Sequence, residues 1–337
     1  MITTPDKTAA VLTAPKTQHQ AGLYPLDLAF ADYDRTRPII DGHVQPKGIA
    51  IKASTAPIGE FCTRPVYEEY DAAEMSFSWY VAARDRGEPV TALPIFPLRM
   101  AVWAYVFVRA DSPITKPSDL AGKKIGSQGY RYTVNLWLRG LFKEYYDFSP
   151  EQASWITAET EGAGYVIPHG INVEVHRGVT AEDNLKNGIV DAIFCTSVPK
   201  QFQDGEPWIR RLFPDAQGEM QNFVRRTGIM PITHTLVMNK QLAEREPWIA
   251  ESLFHGFVES QQRADDIYQT DPKLMSLLDS VFILEQQHAA YGSNPYAQGL
   301  GPNRKIVEAF LRYAHEQGYI SRRLSVEELF APNTLAL

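Results

Sequence analysis

The sequence is poor in cysteine: 337 residues hold only Cys62 and Cys195. Neither lies in a CxxC pair or a Cys/His cluster, so a structural zinc site and a haem attachment are unsupported. Two reduced, buried thiols are expected. Long apolar runs are missing as well. Nothing approaches the ~18 residues of a membrane-spanning helix, and the opening MITTPDKTAAVLTAPKTQHQ has no apolar core of a secretory signal. A cytoplasmic protein is expected. Basic charge is not in excess: 33 Lys and Arg stand against 40 Asp and Glu, net −7. That balance removes any global attraction to nucleic acid or an anionic membrane. Cofactor motifs are equally scarce. Gly122-Lys123-Lys124-Ile125-Gly126 lacks the GK[ST] end of a phosphate loop. No G-x-G-x-x-G follows the first strand, and neither G-x-S-x-G nor HExxH occurs. No cofactor is expected.

What is present is an alternation of strand and helix. Residues 1–22 have no periodicity and read as a flexible lead. Strands are expected at 26–31, 48–54, 90–96, 103–109, 124–126, 191–195 and 232–238. Residues 72–86 read as a strand end running into a helix, and Pro117-Ser118-Asp119-Leu120 as a helix start. The clearest helix carries Val134, Trp137, Leu138, Leu141, Phe142 and Tyr145 on one face. Ser149-Pro150-Glu151-Gln152 has the form of a capping box, and Thr180 opens a helix ending near Gly188. After residue 238 the chain is mostly helical, with long helices at 247–267 and 304–315 and a last short one capped by Ser325. This order predicts an α/β protein with mixed sheets. Length suggests two domains, and a single composition shift suggests that they interleave.

Polar clusters fall where strands should end, the place where open α/β sheets bind ligands. Asp32-Tyr33-Asp34-Arg35-Thr36 follows the first strand; a surface turn is the alternative. Glu74-Met75-Ser76 ends another, with a solvated helix start as the alternative. Gln128-Gly129-Tyr130-Arg131-Tyr132-Thr133 leads into the strongest helix, where free backbone N–H groups and Arg131 make an anion site or an ordinary cap. Arg225-Arg226-Thr227 and His234 flank the last expected strand, and His234 is a candidate site residue or a satisfied core histidine.

Seven segments carry a resemblance: DYDRTRPIIDG (32–42), AEMSFSWYVAARDRG (73–87), PIFPLRM (94–100), SDLAGKKIG (118–126), RRLFP (210–214), FVRRTGIMPITHTLV (223–237) and GPNRKIVEAFLRYAHEQG (301–318). Together, in this order over residues 26–334, they resemble 4,5-dihydroxyphthalate decarboxylase, a family similar in fold to type 2 periplasmic solute-binding proteins. The resemblance implies two lobes with a ligand cleft between them: lobe 1 from 23–108 and 232–337, lobe 2 from 109–231. It also implies non-oxidative decarboxylation of an aromatic diacid to protocatechuate, and a homo-oligomer whose helical C-terminal third supplies the contact face. Two departures stand out. Gln128-Gly129-Tyr130-Arg131 replaces a Pro-Glu-Tyr-Gln stretch, and Gly301 replaces an acidic residue. Both make the expected cleft more positive.

Decarboxylation of this kind needs a proton donor at the ring carbon, an acceptor for the phenol and cations for the carboxylates. Residue type and position assign His234 as donor, with Asp34 and Glu74 as acceptors or tuning carboxylates. Arg35, Arg99, Arg131 and Arg226 are assigned to carboxylate binding, and Tyr33, Thr36, Ser76, Tyr130 and Thr133 to orientation of the substrate. A divalent metal on Asp34, Glu74 and His234 is conceivable, although no ligand spacing argues for it. Two other readings share the fold: a solute receptor for an aromatic acid and a different lyase acting on a cyclic acid.

Overall fold

A computed structural model describes residues 22–337 apart from residue 63 and residues 162–164. The expected N-terminal lead lies outside the described residues but for Gly22, and so does the Cys62 side chain. Cys195 is a free, buried thiol.

The chain first lays down β1 (Tyr24–Phe30), α1 (Arg37–Ile40), β2 (Ile49–Thr55), α2 (Val66–Glu69), β3 (Ala72–Ser76), α3 (Phe77–Asp85) and β4 (Val90–Leu93). It then crosses into β5 (Val106–Arg109), β6 (Lys124–Ser127), α4 (Thr133–Tyr145), β7 (Ser154–Thr157), β8 (Asn172–Val175), α5 (Ala181–Lys186), β9 (Ala192–Phe194), α6 (Lys200–Gln203), β10 (Ile209–Arg211) and α7 (Ala216–Thr227). It returns through β11 (His234–Asn239) and finishes with α8 (Lys240–Arg245), α9 (Pro247–Thr270), α10 (Ser280–Tyr291) and α11 (Leu300–Glu316). Two mixed sheets result, ordered β2-β1-β3-β11-β4 and β10-β5-β9-β6-β7-β8.

The first sheet is parallel over β2, β1 and β3, and β11 enters antiparallel between β3 and β4. β3 is buried along its whole length, as expected of a central strand covered on both faces. In the second sheet β6 to β9 are parallel, while β5 runs antiparallel to both β9 and β10. Residues 106–108, expected in lobe 1, therefore belong to the second sheet, and the crossover falls in the single 3₁₀ turn Val102–Tyr105. That turn also replaces the start of the strand expected at 103–109. Trp103 is drawn inward there, packing on Phe223 and donating its indole N–H to Tyr146.

Other boundaries moved for local reasons. β4 stops at Leu93 because Pro94 has no N–H for a ladder. The Ser325 box forms, with Ser325 N–H donating to Glu328 at 2.8 Å, but only a turn follows. Phe330 then pairs with Ala92 of the first sheet, so tertiary pairing overrides the cap.

α4 binds the two halves together. Its residues Thr133 to Phe142 are buried without interruption, so the expected one-sided stripe is in fact a helix covered all round. The indole N–H of Trp137 donates to Ile232 O at 2.7 Å. Arg139 Nε donates to Gln317 Oε1 at 2.8 Å, and Gln317 Nε2 donates back to Leu136 O at 3.0 Å. Gly140 lies under the Tyr313 ring of α11, where a Cβ would fall 2.4 Å from ring carbon Cγ. One buried apolar cluster accordingly runs from Ala29 and Ala73 in the first sheet to Ile125, Trp155 and Phe194 in the second. Among the described residues, no helix is long and apolar enough to cross a membrane.

Candidate active site

β3 carries a carboxylate where a central strand normally carries only apolar side chains. Glu74 is wholly buried, and an uncompensated charge there would be prohibitive. Three donors compensate it. The Ala31 N–H donates to Oε2 at 2.9 Å, the Tyr33 hydroxyl donates to Oε1 at 2.7 Å, and His234 Nδ1 lies 2.6 Å from Oε1. Burial pushes the Glu74 carboxyl up, but the hydrogen bond and charge of His234, with the Ala31 and Tyr33 donors, outweigh it and hold the group below its ordinary value. A carboxyl held low in this way accepts rather than donates, which assigns the Nδ1 proton to His234. Burial and the adjoining Glu74 charge push the Tyr33 phenol up, keeping it a donor.

The sheet register brings these groups together. His234 is the first residue of β11 and stands opposite Ser76, two residues beyond Glu74 on β3. Just upstream, Ile232 bridges to Arg99, which draws a second charged side chain to this strand end. Arg99 is buried and, among the described residues, has only neutral acceptors: its NH2 donates to Ala297 O and Asn303 Oδ1, both at 2.8 Å, while Nε finds no partner among them. Burial lowers its guanidinium to about 10; the nearby Tyr296 opposes this and the like charge of Arg35 adds to it. Arg35 Nε donates to Pro97 O at 2.7 Å, and its guanidinium lies between the Tyr33 ring at 4.0 Å and the Tyr296 ring at 4.6 Å. Tyr33, Arg35 and Tyr296 are half-buried and form the rim of this group.

The remaining candidates go elsewhere. Asp34 is exposed and accepts from the Tyr268 hydroxyl at 2.7 Å and from Arg35 at 3.1 Å. Thr36 builds the turn, its hydroxyl donating to Ala31 O and accepting from Tyr33 N–H. Ser76 and Thr133 share a hydroxyl contact of 2.8 Å at the seam between α3 and α4. Tyr130 is buried beneath the Arg139 guanidinium, 3.7 Å from its ring centre. Arg131 is also buried, stacked 3.2 Å over Trp79 with NH1 donating to Glu161 O at 2.6 Å. Arg226 stands on the exposed side of α7, over Tyr145. The structure thus gathers Tyr33, Arg35, Glu74, Arg99 and His234. It engages Asp34, Tyr130, Arg131 and Arg226 in other contacts.

The expected anion site before α4 does exist, but the chain fills it. The N–H groups of Tyr130 and Arg131 donate to the two carboxylate oxygens of Glu161 at 2.6 and 2.9 Å. Burial raises the Glu161 carboxyl despite these bonds. Sequence reading missed Glu161, as it missed Tyr296 and Asn303. Tyr296 lies in the irregular stretch between α10 and α11, where no periodicity marks it; Asn303 was visible only as part of the segment 301–318. Among the described residues no group of three or more His, Cys, Asp and Glu is arranged to hold a metal ion.

The fold is that of the two-lobed solute-binding proteins. The aliphatic sulphonate binding protein SsuA from Escherichia coli matches with a TM-score of 0.55 at 13% identity, over 93% of this chain and 99% of its own. A putative sulfonate-binding SsuA from Methylobacillus flagellatus KT matches at 0.59 and 12%, over 94% and 93%. No family model matches the sequence, but individual relatives do. A 4,5-dihydroxyphthalate decarboxylase from Comamonas testosteroni is 32% identical over 323 residues, 92% of this chain and 97% of its own. Another from Pseudomonas putida is 30% identical over 209 residues, 59% of this chain and 81% of its own. The chain belongs to the 4,5-dihydroxyphthalate decarboxylase family.

Proposed function

We propose that this chain is a carboxy-lyase that converts 4,5-dihydroxyphthalate, or a close analogue, to protocatechuate and carbon dioxide, with the Glu74–His234 pair as its proton-transfer device. The observation that carries the reading is a buried carboxylate orienting an imidazole near two arginines, Arg99 with neutral acceptors and Arg35 paired with the exposed Asp34.

An aryl anion is too costly to form directly, so the ring carbon is protonated first. The phenol para to the departing carboxylate gives up its proton to water, and the His234 imidazolium, its Nδ1–H held by Glu74, delivers its Nε2 proton to the carbon bearing that carboxylate. The resulting dienone loses carbon dioxide as the carbon–carbon bond breaks; its electron pair restores the aromatic ring and leaves a phenolate, which regains a proton. Net, one proton replaces one carboxylate. Glu74 holds the imidazole in register and stabilises its charged form. Arg35 and Arg99 hold the carboxylate that stays, and no cofactor enters the scheme. The enzyme is read as cytoplasmic and homo-oligomeric, with neither nucleic acid nor membrane as partner; the acidic charge balance supports the last point.

A transport receptor on this fold must open and close around its ligand. The contacts of α4 with Ile232 and Gln317 join the two halves and oppose that motion. The test is to incubate metal-stripped protein with 4,5-dihydroxyphthalate and follow carbon dioxide and protocatechuate, then repeat with added divalent metal. Turnover without metal supports the scheme. Turnover only with metal overturns its cofactor-free form, and tight binding without turnover points to a receptor.

A further inference from the structure

The segment between α9 and α11 is an arm whose apolar side chains face solvent. In α10 only Ser280 is buried, and Ser280 Oγ donates to Pro272 O at 2.9 Å, folding the arm into one corner. Leu274, Leu277, Leu278, Val281, Phe282 and Ile283 are each between 43% and 99% exposed. At about 200 Å² for a fully exposed large side chain, they present on the order of 700 Å² of apolar surface. Summed over the arm, whose consecutive Val281, Phe282 and Ile283 point to different sides of α10, this approaches the roughly 800 Å² that each partner gives to a standard interface.

We propose that this corner is the face on which a second copy of the chain docks, apolar run against apolar run. Area is one reason and charge is the other. Residues 274–284, LMSLLDSVFIL, contain a single charge, Asp279. A face that must meet itself across a two-fold axis places like against like, and a nearly uncharged run lets a chain of net −7 do so without repulsion. A lipid surface fits less well. Helices that lie on membranes present Lys and Arg along their polar side, whereas α10 contains neither. The proposal names the contact face of the oligomer and uses nothing of the catalytic scheme.

The test is sedimentation velocity with light scattering from tens of micromolar downwards, on the full chain and on Leu278→Glu/Phe282→Glu. The wild type is expected at a multiple of the monomer mass, and the variant at the monomer mass with an unchanged far-ultraviolet spectrum. Trp248→Glu, an exposed apolar side chain outside the arm, is expected to remain assembled. A monomeric wild type at tens of micromolar overturns the proposal, as does a variant that stays assembled. Cosedimentation of monomeric wild type with phosphatidylcholine–phosphatidylserine vesicles, lost in the double variant, would assign the corner to a membrane instead.

Discussion

The Glu74 carboxylate and the His234 imidazole meet at 2.6 Å although they lie 160 residues apart in sequence. The pair exists because β11 returns from the second lobe and inserts antiparallel beside β3, with His234 opposite Ser76. The proposed proton-transfer pair is thus completed by β11, the last strand in chain order to join the first sheet.

The pair acts as a unit, and its variants should not add. Glu74→Gln keeps the shape but cannot hold an imidazolium; His234→Ala removes the donor. Each is expected to lower kcat by roughly 10²–10⁴-fold, and the double variant to be little worse than His234→Ala alone. Initial rates of protocatechuate formation measure this. Additive losses would mean that the two residues work separately.

Stability should follow the same carboxyl. The folded chain holds Glu74 below its ordinary value, so the unfolded chain binds that proton more readily. Its contribution is full above the unfolded value of about 4.3 and is lost as pH falls through the folded one. Urea midpoints measured between neutral and acidic pH should drop in the wild type, and drop less in Glu74→Gln.

Two arginines that look alike in sequence should behave differently. Arg99→Leu removes a buried cation drawn to the start of β11 by the Arg99–Ile232 bridge, and on the proposed scheme the loss of one or two charge-assisted hydrogen bonds to substrate raises KM roughly tenfold to hundredfold. Arg131→Gln breaks the stack on Trp79 and the bond to Glu161 O. It should lower stability by about 1–3 kcal/mol with KM near wild type. Steady-state kinetics and thermal melts on both variants separate binding from packing.

Gly140→Ala tests the seam. The new Cβ would sit 2.4 Å from Tyr313 Cγ, and the ring cannot swing aside freely because its hydroxyl donates to Glu144 at 2.5 Å. Overpacking of this kind costs about 1–3 kcal/mol. A urea midpoint equal to wild type would show that α11 yields at this point.

Much of this was legible in the sequence where local chemistry and tertiary structure agree. α4 announces itself by its apolar stripe, and the Thr180 cap forms as read, its hydroxyl accepting from Asp183 N–H at 3.0 Å. α7 was not read: Met220, Phe223 and Thr227 are buried and Asp215 caps Gly218 N–H at 2.9 Å, but its polar composition hid the pattern. β8 and β10 are short edge strands with little burial, which leaves almost no alternation to read. The site divides in the same way. His234 opens β11 and Glu74 lies two residues before the end of β3, where position is informative. Arg131 and Arg226 had the right charge, but residue type says nothing about where a guanidinium points, and stacking on Trp79 or Tyr145 decided it.

α4 belongs to one lobe by sequence and to both by burial, and this limits how the chain can be rearranged. Exchange of the second lobe between relatives would transplant Trp137, Arg139 and Gly140 without the Ile232, Gln317 and Tyr313 that fit them. A working chimera would have to carry Ile232 and the segment 300–319 along with residues 106–227. The unit of inheritance here is a discontinuous cassette, because the two halves share one buried apolar cluster.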